Sequence, residues 1–536
     1  MRIDKNTTIR LGDRNIVKIK IGDSVIWQKE PDYFYVENTY DGGNNISVKQ
    51  TITGEPDSSL YAKTLQYSKD KTNWTTITLS STAYTITLNK GEKVYFRGNE
   101  GVLNYYANDG AIKTTTNILG TQTHTIGGNI NTLVNYITPN KLTLTQGVFA
   151  ELFQNNKTIT SAENLTLQPS TDGSLSTFAY CLMFSGCSAL ITPPSEIPAT
   201  KQGHASCGKM FLDCIQLKTP PALKSTILGD YCFKWIFKNC TSLISAPELP
   251  ALTLASNCYL SAFEGCTSLV NVPELPATEM KPNCYRSLFN GCTSLVNAPA
   301  LPATVLAQNC YQYAFRNCIN LVNPPKLPAK VLVEGCYRST FQGCSKLNNI
   351  TVYADDISAT NCTTDWLYGV ASTGTFNNYG SATYTANSPS GIPSGWTEVK
   401  PTWSWNVVTD GTYPFELNSN GYYESTNKGQ SSSYSYATLN YSGFNELVLE
   451  CINSGESSWD YGIISQPDVE LSKSYENDGE TGSDIVFHTF REEHSTNPVQ
   501  ITIPSDGGSH FITIKYKKDG GVDSGNDSFQ FKVIEP

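Results

Sequence analysis

The sequence copies itself every 26 residues, and that period constrains the fold more than any other feature. One copy runs from Asn257-Cys258-Tyr259 to Leu275-Pro276; the next begin at Asn283-Cys284-Tyr285 and Asn309-Cys310-Tyr311. The first cysteine of each copy stands at Cys207, Cys232, Cys258, Cys284, Cys310, Cys336 and Cys362. The second stands at Cys187, Cys214, Cys240, Cys266, Cys292, Cys318 and Cys344. A fixed period of this length means a solenoid, in which each coil buries its apolar residues only against its neighbours.

Spacing over Cys258–Cys266 reads as helical, with Cys258, Ala262 and Cys266 on one face, Tyr259 and Phe263 beside it, and Thr267-Ser268 as the stop. On that reading the two cysteines of a copy lie about 12 Å apart along one helix. That is beyond disulfide reach, and stacked equivalents sit about 8–10 Å apart. The cysteines are therefore expected to be free interior residues, which fits folding in a reducing compartment. No histidine joins them in a zinc-ligand pattern, so neither metal nor cofactor is expected. Cys258, Phe263, Cys266, Leu269, Cys284, Phe289, Cys292, Leu295, Cys310, Phe315, Cys318 and Leu321 are the expected structural residues.

The flanking segments read differently. Residues 1–31 hold two echoing hairpins, Ile9-Arg10-Leu11-Gly12-Asp13 and Lys18-Ile19-Lys20-Ile21-Gly22-Asp23, and read as a short N-terminal β-hairpin module. Residues 32–110 alternate in period two and are expected to form a small β-sandwich. Residues 111–180 are assigned to an N-terminal cap, 181–350 to the repeats and 351–400 to a C-terminal cap. Residues 401–536 are expected to form a C-terminal β-sandwich or jelly roll. The expected whole is a multidomain, mainly β protein around a capped solenoid of α/β coils.

With 536 residues and a net charge of −10, the chain is too long for one core and a poor fit to nucleic acid. No stretch has the 18 or more apolar residues of a membrane span. The first residues, Met1-Arg2-Ile3-Asp4-Lys5, carry no apolar leader, so export by a signal peptide is not expected.

The pattern Ala262-Phe263-x-x-Cys266-x-x-Leu269, followed by Val272-Pro273-x-Leu275-Pro276, resembles the BspA-like leucine-rich repeat of the Treponema pallidum type. It recurs at Ala314-Phe315-x-x-Cys318-x-x-Leu321 and Leu288-Phe289-x-x-Cys292-x-x-Leu295. Tyr95-Phe96-Arg97-Gly98-Asn99 upstream, and Trp366-Leu367 with Gly391-Ile392-Pro393 downstream, resemble the flanks of such repeats in gut Bacteroidales and their phages, including the crAss-like group. This resemblance implies a structural virion protein, a head or tail fibre or decoration subunit. It implies attachment to other virion proteins through the N-terminal module, host surface glycan or protein as partner, and a place on the virion surface after assembly in the host cytoplasm; a homo-oligomer, a trimer, is expected only from how fibres are usually built. The alternative is a bacterial cell-surface adhesin with the same repeats.

No catalytic constellation stands out, and an enzyme is not expected. Asp355-Asp356 is read as structural. Loop 519–527 has oxygens enough for calcium but lacks the glutamate an EF-hand needs. Aromatic residues are the better lead. Trp403, Trp405, Tyr422, Tyr423, Trp459 and Tyr461 in the last domain either pack in its core or stack on sugar faces. Arg286, Tyr313 and Arg338 follow each Cys-Tyr pair, where stacked coils would align them as a binding stripe or leave them as solvated surface.

Overall fold

In a computed structural model, the described residues are 9–11, 14–16, 18–21, 24–28, 32–53, 63–99, 103–106, 112–400, 404–410, 414–426, 434–442, 446–453, 461–466, 485–489, 495–504, 509–517 and 529–534. They are mostly β, with two short 3-10 turns, Ile130–Leu133 and Pro139–Lys141, as the helical elements among them. The chain divides into two compact units, Val399–Pro536 with Asn377–Gly380 being the second.

The first unit begins with two short antiparallel pairs, Ile9–Leu11 with Arg14–Ile16 and Lys18–Ile21 with Ser24–Gln28. A β-sandwich follows. Its six-stranded sheet has the order Ile159–Thr166, His124–Asn129, Phe34–Asn38, Lys93–Arg97, Thr64–Ser68, Thr75–Thr78. The other has the order Tyr105–Tyr106, Ile112–Gly120, Asn44–Ile52, Tyr84–Leu88. The period-two pattern delivers Phe34, Val36, Ile46, Val48, Ile86, Leu88, Val94 and Phe96 to the buried interior. Strands Ile112–Gly120 and His124–Asn129 belong to these sheets, so the pairing extends past residue 110 into the segment read as cap. His124–Asn129 then pairs in parallel with Ile159–Thr166, carrying the sheet into the first coil. Phe34 stacks on Phe153 at 5.8 Å across that junction.

The solenoid is built from turns, and here the helical expectation for Cys258–Cys266 is wrong. Leu260, Ala262, Glu264 and Cys266 donate their N–H groups to the carbonyls three residues back. The residues between them, Asn257, Tyr259, Ser261, Phe263 and Gly265, donate instead to Pro282, Cys284, Arg286, Leu288 and Asn290 of the next coil, at 2.8–3.1 Å. Every fourth residue is left-handed: Asn257 (φ 57°), Ser261 (φ 51°) and Gly265 (φ 76°). A run of four-residue turns thus replaces the helix, and half its N–H groups bind coil to coil. The confusion has a geometric cause. A four-residue period differs from the helical 3.6 by only about 40° per turn, so the same side chains point inward over eight residues.

Inside, the aromatic residues form two files. Phe153, Phe184, Phe211, Phe237, Phe263, Phe289, Phe315 and Phe341 stack at centroid spacings of 5.2–5.7 Å. Phe233, Tyr259, Tyr285, Tyr311 and Tyr337 form the second. All sixteen cysteines are free and buried. The second cysteine of each coil donates its thiol to the phenylalanine carbonyl of the coil before: Cys266 to Phe237 and Cys344 to Phe315, at 3.1 and 3.0 Å. That carbonyl also takes an N–H within its own coil, so the small polarisable thiol fills the carbonyl's second lone-pair site in the buried interior. At the far end Trp366 takes the aromatic place, stacks on Tyr384 at 5.6 Å and donates Nε1 to Gly391 O.

The second unit is a sandwich of two five-stranded sheets. One has the order Ser404–Asp410, Tyr434–Ser442, Ser509–Lys517, Tyr461–Gln466, Ile485–Thr489. The other has the order Phe415–Leu417, Tyr423–Ser425, Phe529–Ile534, Glu446–Asn453, Ser495–Pro504. Ala437, Leu439, Ile512 and Ile514 of the first pack with Leu449, Cys451, Ile503 and Phe531 of the second. No helix among the described residues is long and apolar enough to cross a membrane.

Candidate functional site on the turn face

The left-handed positions make a comb along one face of the solenoid. A left-handed backbone costs an L-residue about 1–2 kcal/mol, and Asn, Asp or Gly bears it best. The first and third teeth mostly comply, with Asn257, Asn283, Asn309 and Asn361 at the first and Gly265, Gly291, Gly343 and Gly369 at the third, whereas the second carries Leu182, Lys209, Ser261, Ser287 and Ser339. Four bulky aromatics also stand at left-handed positions: Phe178 (φ 56°), Tyr231 (φ 59°), Trp235 (φ 58°) and Tyr313 (φ 59°). All four are half-buried; Phe178 also packs on Ala150 and Cys181, and each ring keeps part of its surface open to solvent. Strain of this kind concentrates at binding and switch sites.

Cations surround these rings. The Nζ atoms of Lys209, Lys234 and Lys238 lie 4.9, 4.8 and 4.9 Å from the Trp235 ring centroid. Arg316 and Arg286 lie 5.3 and 5.9 Å from that of Tyr313. Each distance is within the roughly 6 Å over which a ring face attracts a cation. Lys238 is neutralised by Glu264 at 3.1 Å. Lys234 has its pKa lowered, first by partial burial and then by the charge of Lys209. The face is locally basic on a chain whose net charge is −10.

Of the stripe expected from sequence, Arg286 and Tyr313 do come together. Arg338 is half-buried one coil on, and its carbonyl accepts the Tyr313 N–H at 3.0 Å. In the second unit, the Tyr422 hydroxyl donates to Glu450, and that bond pushes its phenol up to about 12. Lys532 sits 5.7 Å from its ring. Tyr423 stacks on Phe531 at 5.4 Å and so serves packing. Trp403, Trp459 and loop 519–527 lie outside the described residues, as do the side chains of Trp405 and Tyr461. Asp355 accepts the N–H and hydroxyl of Ser381, and Asp356 the N–H of Ser358; these bonds lower both pKa values. Among the described residues, no three His, Cys, Asp or Glu side chains are grouped as metal ligands.

Sequence reading missed Phe178, His204, Tyr231, Lys234 and Trp235. The signal was present, because a 26-residue shift sets Tyr231 and Trp235 against Asn257 and Ser261. No family model and no curated protein matches the chain.

Proposed function

We propose that this chain is a non-enzymatic structural adhesin of a virion surface, a fibre or decoration subunit that meets host surface glycans through the turn face of its solenoid. The observation that carries the reading is the set of half-buried aromatics at strained left-handed positions, Phe178, Tyr231, Trp235 and Tyr313, each aromatic cluster edged by Lys or Arg. Flat rings stack on the apolar faces of sugars and basic groups bind their acidic substituents. A stiff stack of coils presents several such contacts at a fixed spacing, so weak individual contacts add by multivalency. In this reading the hairpins of residues 1–31 attach the chain to other particle proteins, and trimerisation multiplies the presented faces.

Mass spectrometry of purified particles, combined with binding of the full chain to host cells and mucin, tests the proposal. The chain is expected in particles, and the purified protein is expected to bind host surfaces in a glycan-dependent way. Its absence from particles together with presence on bacterial cells would transfer the adhesin to the cell surface. Failure to bind either surface would remove the adhesive reading.

A further inference from the structure

Upstream of Trp235 the turn face dips into a notch of about 230 Å³. Phe178 and Tyr231 stand on either side of it, with His204 edge-on to each at 5.6 and 5.3 Å. Its depth has a sequence cause. Gly208 occupies the position that Lys234, Leu260 and Arg286 fill in the following coils, and Ala205 takes the tooth between the two rings. Two small residues therefore open a space that larger side chains close elsewhere. The volume lies below the roughly 300–1,000 Å³ of clefts for drug-sized ligands, which suits a single ring.

The rim is cationic. Lys209 and Lys234 border the notch, and among the described residues neither forms an ion pair, whereas nearby Lys238 has Glu264. Lys234 also lies 5.2 Å from the Tyr231 ring. Two neighbouring amines beside an aromatic wall form half of an electrostatic arrangement, and an anion supplies the other half. A cationic ligand is excluded by the same charges.

We propose that this notch binds one anionic sugar ring of a glycan, with the apolar face of the ring against Tyr231, which Lys234 borders, and its acid group at Lys209 and Lys234. The inference rests on the adhesin reading and names the sugar class that reading leaves open. Carboxylate and sulfate share the needed chemistry, and the test separates them.

The full chain is titrated calorimetrically with methyl glucuronide, methyl glucoside 6-sulfate and neutral methyl glucoside. At least one acidic sugar is expected to bind about tenfold or more tightly than the neutral one, as for one charge-assisted contact. The tighter of the two acids identifies the native group. Lys209→Gln with Lys234→Gln should remove that preference. Tyr231→Asn, which installs the residue that later coils carry at this tooth, should abolish binding while the far-UV spectrum is retained. Equal affinity for neutral and acidic sugars, no binding of any of them, or unchanged binding by Tyr231→Asn overturns the proposal. Adhesion of the same variants to host cells separates the two readings. If wild type and Tyr231→Asn adhere equally while Tyr313→Ser does not, the notch is wrong and the adhesin stands. If wild type does not adhere, the adhesin fails, and the sugar titration still decides the notch.

Discussion

Gly265→Ala distinguishes a ladder of turns from a helix by the sign of its effect. Gly265 has φ 76°, and an added Cβ would run into Asn239 Oδ1. The left-handed backbone costs alanine about 1–2 kcal/mol. Moving Asn239 aside also gives up its Nδ2 bond to Asp213 Oδ1, 2.8 Å long and exposed, at about 0.5–1 kcal/mol. The expected loss is about 1.5–3 kcal/mol. Gly291 is the internal control: it has the same φ of 76°, but the nearest atoms to its added Cβ are Gly265 backbone at 3.8 Å. Gly291→Ala should therefore cost only the backbone share, about 1–2 kcal/mol. In a helix, both substitutions would instead stabilise by about 0.5–1 kcal/mol. Whole-chain melting is unsuitable because several domains unfold. Hydrogen exchange followed by mass spectrometry reads local opening directly. Peptides covering residues 257–292 should exchange about 10- to 150-fold faster in Gly265→Ala, about 5- to 30-fold faster in Gly291→Ala, and faster in the first variant than in the second. Slower exchange in either variant would refute the turn ladder.

Other outcomes follow from the same packing. Phe289→Ala, deep in the file between Phe263 and Phe315, should cost about 3–5 kcal/mol, visible as faster exchange in adjacent coils and unchanged exchange in the strands before residue 100. The sixteen thiols should be silent to a thiol reagent in the native protein, and all should react after denaturation without reductant; recovery of only a few would mean disulfides. Burial pushes the Cys266 and Cys344 thiols up to about 12, against an ordinary value of about 8.5. The native state therefore holds protons that the unfolded chain releases. Stability is full below about pH 8.5 and falls as pH rises toward the folded values, by up to about 1.4 kcal/mol per pH unit for each such thiol. Circular dichroism in the presence of reductant should show steep alkaline unfolding, and a flat response from about pH 8 to about pH 11 would contradict it. Tyr231→Asn should keep or raise local stability, by up to about 1–2 kcal/mol of relieved strain, even as binding falls.

Much of the architecture was legible because a period needs no propensity scale. The repeat of Cys258, Phe263, Cys266 and Leu269 marked the buried positions, and all four are fully buried. The conformation joining them was not legible from spacing, since periods of 4 and 3.6 coincide over so short a run. Asn257, Asn283 and Asn309 at one tooth, with Gly265 and Gly291 at another, carried the missing information. Asn and Gly at four-residue intervals are poor helix formers and good left-handed residues. The binding face was harder still. Arg286 and Tyr313 could be found by following a column. The Phe178–Tyr231 notch needed the knowledge that those positions are left-handed, without which an aromatic there looks ordinary. The sandwich extended past residue 110 because Ile112–Gly120 pairs with Asn44–Ile52, about seventy residues earlier, a relation that no local window contains.

The central claim is that strained aromatics on the turn face exist for recognition. Its most direct test compares glycan-dependent host-surface binding by the wild-type chain with that of one variant carrying Phe178→Asn, Tyr231→Asn, Trp235→Ser and Tyr313→Ser. Three of these install the residues that neighbouring coils carry at the same teeth, and Phe178→Asn brings the asparagine of later coils. The variant is expected to fold, to exchange no faster than wild type through residues 178–344, and to lose binding. A variant that folds equally well and binds as the wild type does would contradict the claim.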